Sequence, residues 1–368
     1  MRKYLAIMDA SKADSWHRFL LARFNVDYIV KLPTAREIKQ VLSNLSIPET
    51  MRIDASDPEE GNEHRINEVY DRMLRGICKQ PSNTKKFAFR ALSWIGYATR
   101  TLTKRELLVA ISVEANQYRL DDSDMIGFED LLDYCNGLVI ADGQAVRLVH
   151  FSVRNYLDRR QVMPKDTKET YRAIACSTYL SFDTLKDHRG YSYKRLNDLH
   201  PFLNYAVNNM TFHLSRVERS HYPETTGAVM KLLEDKRLRR EYCRLTYRIG
   251  TALNIPRLNL ACAIGYEDAV RTLLEERDVD VNAKDSTFGL TSISWAILMG
   301  NEAVVERLLS VDKVSCDGRM PLSVAIRRRE TGIARLLLEK GIEVNFTYAG
   351  GSRSDSSRTQ CQRCWLAD

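Results

Sequence analysis

Residues 289–309 read GLTSISWAILMGNEAVVERLL, two short helical phrases broken at Gly300-Asn301, and the same arrangement recurs on either side of them. Ala296, Gly300 and Leu308/Leu309 are matched upstream by Ala261, Gly265 and Leu273/Leu274, and downstream by Ala325, Arg329 and Leu337/Leu338. The alanines are 35 and then 29 residues apart, which straddles the period of a helix-pair solenoid. A small Ala on each first helix lets the two helices of a unit approach, and the Leu pair on the second fills the space between units. Helical periodicity alone does not produce matching Ala, Gly and Leu-Leu offsets. One such unit cannot bury its apolar face by itself, so the three are expected to stack.

The flanking words resemble the ankyrin unit. GLTSISWAILMGN (289–301) and GRMPLSVAIRRRE (318–330) are similar to its phrase in which a Thr-Pro-Leu-like tripeptide opens the first helix. DVDVNAKD (278–285) and GIEVN (341–345) resemble the loop that closes the second. The resemblance implies a module that binds other proteins. VSCDGRMPL (314–322) is shorter than VNAKDSTFGLTSI (281–293), so the finger of the second unit is expected to be truncated. Arg329 stands where Gly265 and Gly300 stand, so a left-handed helix exit is disfavoured in the third unit. Trp295 and Met299 on the second unit's first helix, with Arg327, Arg328 and Arg329 on the third, have the aromatic-plus-arginine composition of a binding hot spot. The alternatives are that Trp295 packs against the next unit and that the Arg run is a solvated face.

With 368 residues, 44% hydrophobic and 28% charged, the chain has the composition of a soluble protein of two or three domains. The opening MRKYLAIMDASKADSW has too short an apolar run for a secretory signal, and no stretch approaches 18 uninterrupted apolar residues. Eight scattered cysteines read as buried free thiols. Together these predict an intracellular protein, of cytoplasm or nucleus, with no membrane association. A net charge of +7 over this length says little about nucleic acid.

The expected fold is mainly α: a helical segment and a winged helix, then a helical linker and the repeat solenoid. A helical remnant is expected over 1–47, with a capping box at Thr34 and Glu37. A flexible acidic insertion follows over 48–68, drawn from the polar stretch Pro48 to Arg65. A helix is expected from Ile66 to Ile77, and within 69–162 three more: from Lys85 to Tyr97 with Phe87, Ala91, Trp94 and Ile95 inward, from the capping box Thr103-Lys104-Arg105-Glu106, and from about Ile126 to Tyr134. LVIADGQAVRLVHF (138–151) then gives two alternating strands joined by Asp142-Gly143, a type I′ hairpin signal. This helix-helix-helix-hairpin order is that of a winged helix. Linker helices fill 163–250, the repeats 251–345 and a disordered Gly/Ser/Arg-rich tail 346–368. Lys236 to Arg240, KRLRR, reads either as an import patch or as one exposed helix face.

Taken in order, these residues resemble the region after the nucleotide-binding core of fungal NACHT-ankyrin proteins, a branch of the STAND regulatory NTPases. FLLARFNVDYI (19–29), TAREIKQVLSNL (34–45) and INEVYDRMLRGI (66–77) are similar to phrases at and after the end of the NTPase module. FAFRALSWIGYATRTLTKRELLVAI (87–111) with LVHFSVRNYL (148–157) resembles the winged-helix domain named after GPI inositol-deacylase, and LHPFLNYAVNNMTFHL (199–214) the segment before the repeats. Two departures stand out: the 48–65 stretch is foreign to the pattern, and the NTPase core is missing.

Catalytic chemistry is not evident. None of the 17 glycines is followed by lysine, so a P-loop is excluded. Gly190-Tyr191-Ser192-Tyr193-Lys194 lacks the closing glycine of a nucleophile elbow. Cys361 and Cys364 have metal-ligand spacing, but no second close pair completes a zinc site. No catalytic residue, cofactor, metal or small-molecule substrate is therefore expected. Between Leu120 and Val146 there is no Lys or Arg, while Asp121, Asp122, Asp124, Glu129, Asp130, Asp133 and Asp142 are acidic. Such a surface repels phosphates, so no direct nucleic-acid binding is expected through the winged helix. It is either a solvated face or a dock for a basic partner. The reading is a non-enzymatic protein-interaction protein, a transcription coregulator holding a transcription factor or a scaffold; the alternative is a truncated regulatory fragment of a STAND receptor, acting in trans or largely inactive.

Overall fold

The computed structural model describes residue 36 and residues 58–161, 169–185, 191–217, 222–247, 254–311 and 321–341. Among them the chain is mainly α, with 16 helices and one three-stranded sheet. Apart from Arg36, the helical remnant expected over 1–47 lies outside the described residues, as do the truncated finger at 312–320 and the tail at 346–368. The chain divides into two compact units, Met1–Lys104 with Ile126–Met163 and Arg105–Met125 with Pro164–Asp368.

In the first unit α1 (Pro58–Cys78) begins inside the stretch expected to be a flexible insertion, which corrects that expectation for residues 58–65. A proline is well placed at a helix start, where its missing N–H would have had no partner. Next come α2 (Ser82–Tyr97) and β1 (Leu102–Thr103), then α3 (Lys104–Ser112), whose residues from Arg105 on belong to the second unit. The first unit resumes with α4 (Phe128–Tyr134), β2 (Val139–Asp142), β3 (Ala145–Leu148) and α5 (Ser152–Arg160). The sheet order is β1-β3-β2, antiparallel throughout, so β1 completes the sheet of a winged helix. Asp142 pairs with Ala145, so the turn is Gly143-Gln144, one residue later than expected. Only Gly143 takes positive φ there, which fits a type II′ turn and not I′.

The core of this unit is Tyr70, Ile77, Ala91, Leu92, Trp94 and Leu131 against Val139, Val146 and Val153. On α2 the inward face carries Phe89 and Leu92 with Ala91 and Trp94, while Phe87 and Ile95 are only half-buried. α1 and the end of α4 approach closely at Gly76, where a Cβ would stand 2.4 Å from Asn136 Nδ2. That amide donates to Met73 O at 2.9 Å, so the glycine makes room for a bond that joins the two helices.

In the second unit α6 (Glu169–Leu180), α7 (Tyr193–Leu199), α8 (Leu203–Leu214), α9 (Tyr222–Glu234) and α10 (Lys236–Tyr247) precede the repeats. α6 packs on α8 and α9 through Ala173, Cys176, Tyr179, Leu203, Ala206, Met210, Val229 and Leu232, all buried. Three helix pairs follow: α11 (Arg257–Ile264) with α12 (Glu267–Glu275), α13 (Ser292–Leu298) with α14 (Glu302–Leu309), and α15 (Pro321–Arg327) with α16 (Thr331–Glu339).

Within KRLRR, Leu238 is buried and Arg239 donates to the carbonyls of Leu233, Glu234 and Ile255, so only Lys236 and Arg237 are exposed. Arg239 thereby caps the carbonyl end of α9.

Cys135, Cys176, Cys243 and Cys262 are buried free thiols, and burial pushes Cys135 up to about 12; Cys78 is exposed, against expectation. His213, buried between α8 and α6, has Nδ1 at 2.8 Å from Glu169 Oε2 and Nε2 at 2.8 Å from Tyr205 OH. A neutral ring with its proton on Nδ1 satisfies both. Burial lowers the His213 pKa below 6.5 despite the carboxylate. For Glu169 burial works against ionisation, yet the hydrogen bonds from His213 and Arg172 outweigh it and hold the carboxyl at about 2. Both folded-state pKa values are depressed, so the unfolded chain takes up protons first as pH falls. Stability is therefore lost on acidification, starting near pH 6.5 through His213 and continuing as pH falls towards 2 through Glu169. The urea midpoint is expected to fall between pH 7 and 5, and to fall less in His213→Gln; a pH-independent midpoint would contradict this arrangement.

Candidate interaction surface

The repeats hold the offsets read from the sequence. Ala261, Ala296 and Ala325 are all fully buried, as are Leu273, Leu308 and Leu337. The second leucine of each pair is less covered: Leu274 and Leu309 are half-buried, and Leu338 is 49% exposed. Packing between units thus rests on the first leucine of each pair.

Each helix exit carries a left-handed residue: Gly265 at φ 80°, Gly300 at 73° and Arg329 at 59°. The third unit keeps the exit despite its arginine, although the residue type disfavours it there. A side chain in this region costs on the order of 1 kcal/mol. Arg329→Gly is accordingly expected to raise the stability of the repeats by about 0.5–1 kcal/mol, read from the denaturant midpoint; a lower midpoint would mean that the arginine side chain is needed.

A buried carboxylate organises the finger between the first and second units. Asp285, 3% exposed, accepts at Oδ1 from the amides of Thr287 (2.9 Å) and Phe288 (2.7 Å). Its Oδ2 accepts from the Leu290 amide (2.9 Å) and from Trp295 Nε1 (3.1 Å). The Asn259 amide, from α11, donates to the carbonyls of Ala283 and Leu290 at 2.9 and 3.0 Å. Phe288 meets the Trp295 ring edge-on at 6.0 Å.

Trp295 is therefore fully buried under the finger, which corrects its placement on an exposed strip. Its apolar body fills the core and its single donor is satisfied by Asp285. Met299 is half-buried, and α11 and α13 expose almost nothing along their length. Arg327, Arg328 and Arg329 are exposed as expected. The third unit also exposes four residues not anticipated: Ile326, 56% exposed, Leu338, Arg335 and Lys340. Alignment of the repeats could have found Ile326, since it takes the place of Cys262 and Ile297, both fully buried. The exposed surface on the first helices is thus concentrated at the third unit.

In the first unit of the chain, Glu129, Asp130 and Asp133 are exposed on α4, and Asp142 pairs with Arg147 at 2.9 Å. Among the described residues no three metal-ligating side chains gather, and no helix is long and apolar enough to cross a membrane.

No curated protein matches the chain. Residues 71–168 match the family described as the winged helix domain of GPI inositol-deacylase. Residues 258–348 match ankyrin repeats in three copies, a non-catalytic interaction module whose presence supports a role in binding protein partners.

Proposed function

We propose that the chain is a non-enzymatic interaction protein whose third ankyrin unit recognises an acidic or mixed acidic-apolar protein segment. One observation carries this. Arg327, Arg328 and Arg329 are exposed in succession, and no ion pair or side-chain hydrogen bond engages them among the described residues. Long side chains left unpaired are poor contributors to stability and good donors to a partner's carboxylates. Within this reading the partner is a transcription factor or a component held on a scaffold, and the acidic face of α4 argues against direct contact with nucleic acid.

Replacing Arg327 and Arg328 together with Glu is expected to abolish association with the main co-purifying partner, leaving helicity and melting temperature nearly unchanged. Retained binding would sink the assignment, and so would a loss seen only together with unfolding.

A second reading, a regulatory fragment acting on an intact STAND relative, is favoured by the winged-helix match, a domain found in NACHT proteins. The same co-purification separates the two, because this reading requires a partner with its own nucleotide-binding core.

A further inference from the structure

We infer that the outer face of the third repeat, built on Ile326 and Leu338 and rimmed by arginines, seats an acidic amphipathic helix of a partner where a fourth unit would stand. The inference rests on the reading of the third unit as the binding site, and adds an apolar anchor and a helical form to it.

The repeat offsets define the face. Cys262 and Ile297 are fully buried, and α13, which carries Ile297, packs on α15 of the following unit. Ile326 occupies the same place in the third unit and is 56% exposed; Leu338, in the place of Leu274 and Leu309, is 49% exposed. Ile326 is thus a side chain of the kind the array buries, left open by the described residues, and Leu338 is more exposed than its half-buried counterparts. Apolar groups of this size gain most of their binding energy when water is excluded from them.

Charge selects the occupant. In the first two units Arg257 pairs with Glu276 at 2.9 Å, Arg271 with Asp268 and Glu275, and Arg307 with Glu267. In the third, Arg327, Arg328, Arg329, Arg335 and Lys340 are all exposed with no ion pair or side-chain hydrogen bond among the described residues. A second copy of the chain, packed face to face on Ile326, would bring two such basic rims together, which is unfavourable. A helix with flanking carboxylates meets the rim instead. Its contact face follows from α15, which packs on the helix that carries Ile297 and buries Leu322 and Ala325: a large apolar residue and a small one three positions apart.

The test titrates the full chain with two synthetic peptides, by calorimetry at low salt. One has the sequence of residues 321–341, and the other the same sequence with Arg327, Arg328 and Arg329 replaced by Glu. The acidic peptide is expected to bind with a Kd on the order of tens of micromolar, typical of a small transient interface, and the basic one about ten-fold more weakly or not at all. Ile326→Asp and Leu338→Asp in the chain should each weaken the acidic peptide about ten-fold without moving the melting temperature, since both side chains are exposed. The inference is overturned by absence of acidic-peptide binding, by equal binding of both peptides, or by indifference to both substitutions. Self-association in sedimentation that Ile326→Asp removes would also overturn it, naming a second copy as the occupant. If Arg327→Glu/Arg328→Glu loses the co-purifying partner while Ile326→Asp keeps it, the apolar anchor fails and the function proposed above stands.

Discussion

Leu308→Ala is expected to lower the stability of the repeat region by about 2–5 kcal/mol. The side chain is fully buried on α14, which packs on α12 and α16, so truncation leaves a cavity between units that the backbone can only partly collapse. Because units of a solenoid are stabilised by their neighbours, the loss spreads to both adjacent pairs and is not confined to α14. Amide exchange on the full chain reads this directly: protection should fall in α11 to α16 and hold in α1, α2 and α5. Unchanged protection in α12 and α16 would show that the register proposed for the units is off. Leu309→Ala provides the contrast, since the half-buried second leucine should cost clearly less.

Asp285→Ala is expected to cost about 3 kcal/mol and to unfasten the finger. Three backbone amides and the Trp295 indole converge on one carboxylate that is 3% exposed, and removing it strands donors that water reaches only if the loop opens. Asp285→Asn should cost less, because its one remaining oxygen can still serve either the Thr287 and Phe288 pair or the Leu290 and Trp295 pair. Urea unfolding followed by tryptophan emission checks both. An alanine variant as stable as the parent would mean that the finger contributes nothing to burying Trp295.

The sequence made the repeats legible because stacking imposes one offset on every unit, and Ala, Gly and Leu-Leu repeat at it. The winged helix was legible from its order of elements, helped by the alternation across 138–151. Less could be read where two residues compete for one job. Asp142-Gly143 and Gly143-Gln144 are both workable turns, and strand pairing chose the second. β1 is two residues long, too short for any periodicity to announce it. The misplacement of Trp295 has a different cause. Its helix register is correct, but whether an aromatic at that position faces a partner or the core depends on the loop above it. The clue was Asp285 in DSTFG, a side chain suited to gathering the amides that follow it. Arg329 shows the reverse case: a local preference against left-handed backbone is overridden by the exit that the packing of α15 on α16 requires.

The joints between units are not equal. At the first, Asn301 donates its side-chain amide to the carbonyls of Cys262 and Ala263 at 2.8 and 3.2 Å, closing the carbonyl end of α11 with a neutral donor. Glu330 stands in the corresponding place at the second joint, beside Gly300, and a carboxylate has no proton to offer the end of α13 and carries the wrong sign for it. Among the described residues the array is therefore latched at one seam and merely stacked at the other, so under load or protease it should peel from the third unit inward. A ligand gripping that unit would act as the missing latch, and occupancy of the far end would be felt as stiffness along the whole solenoid.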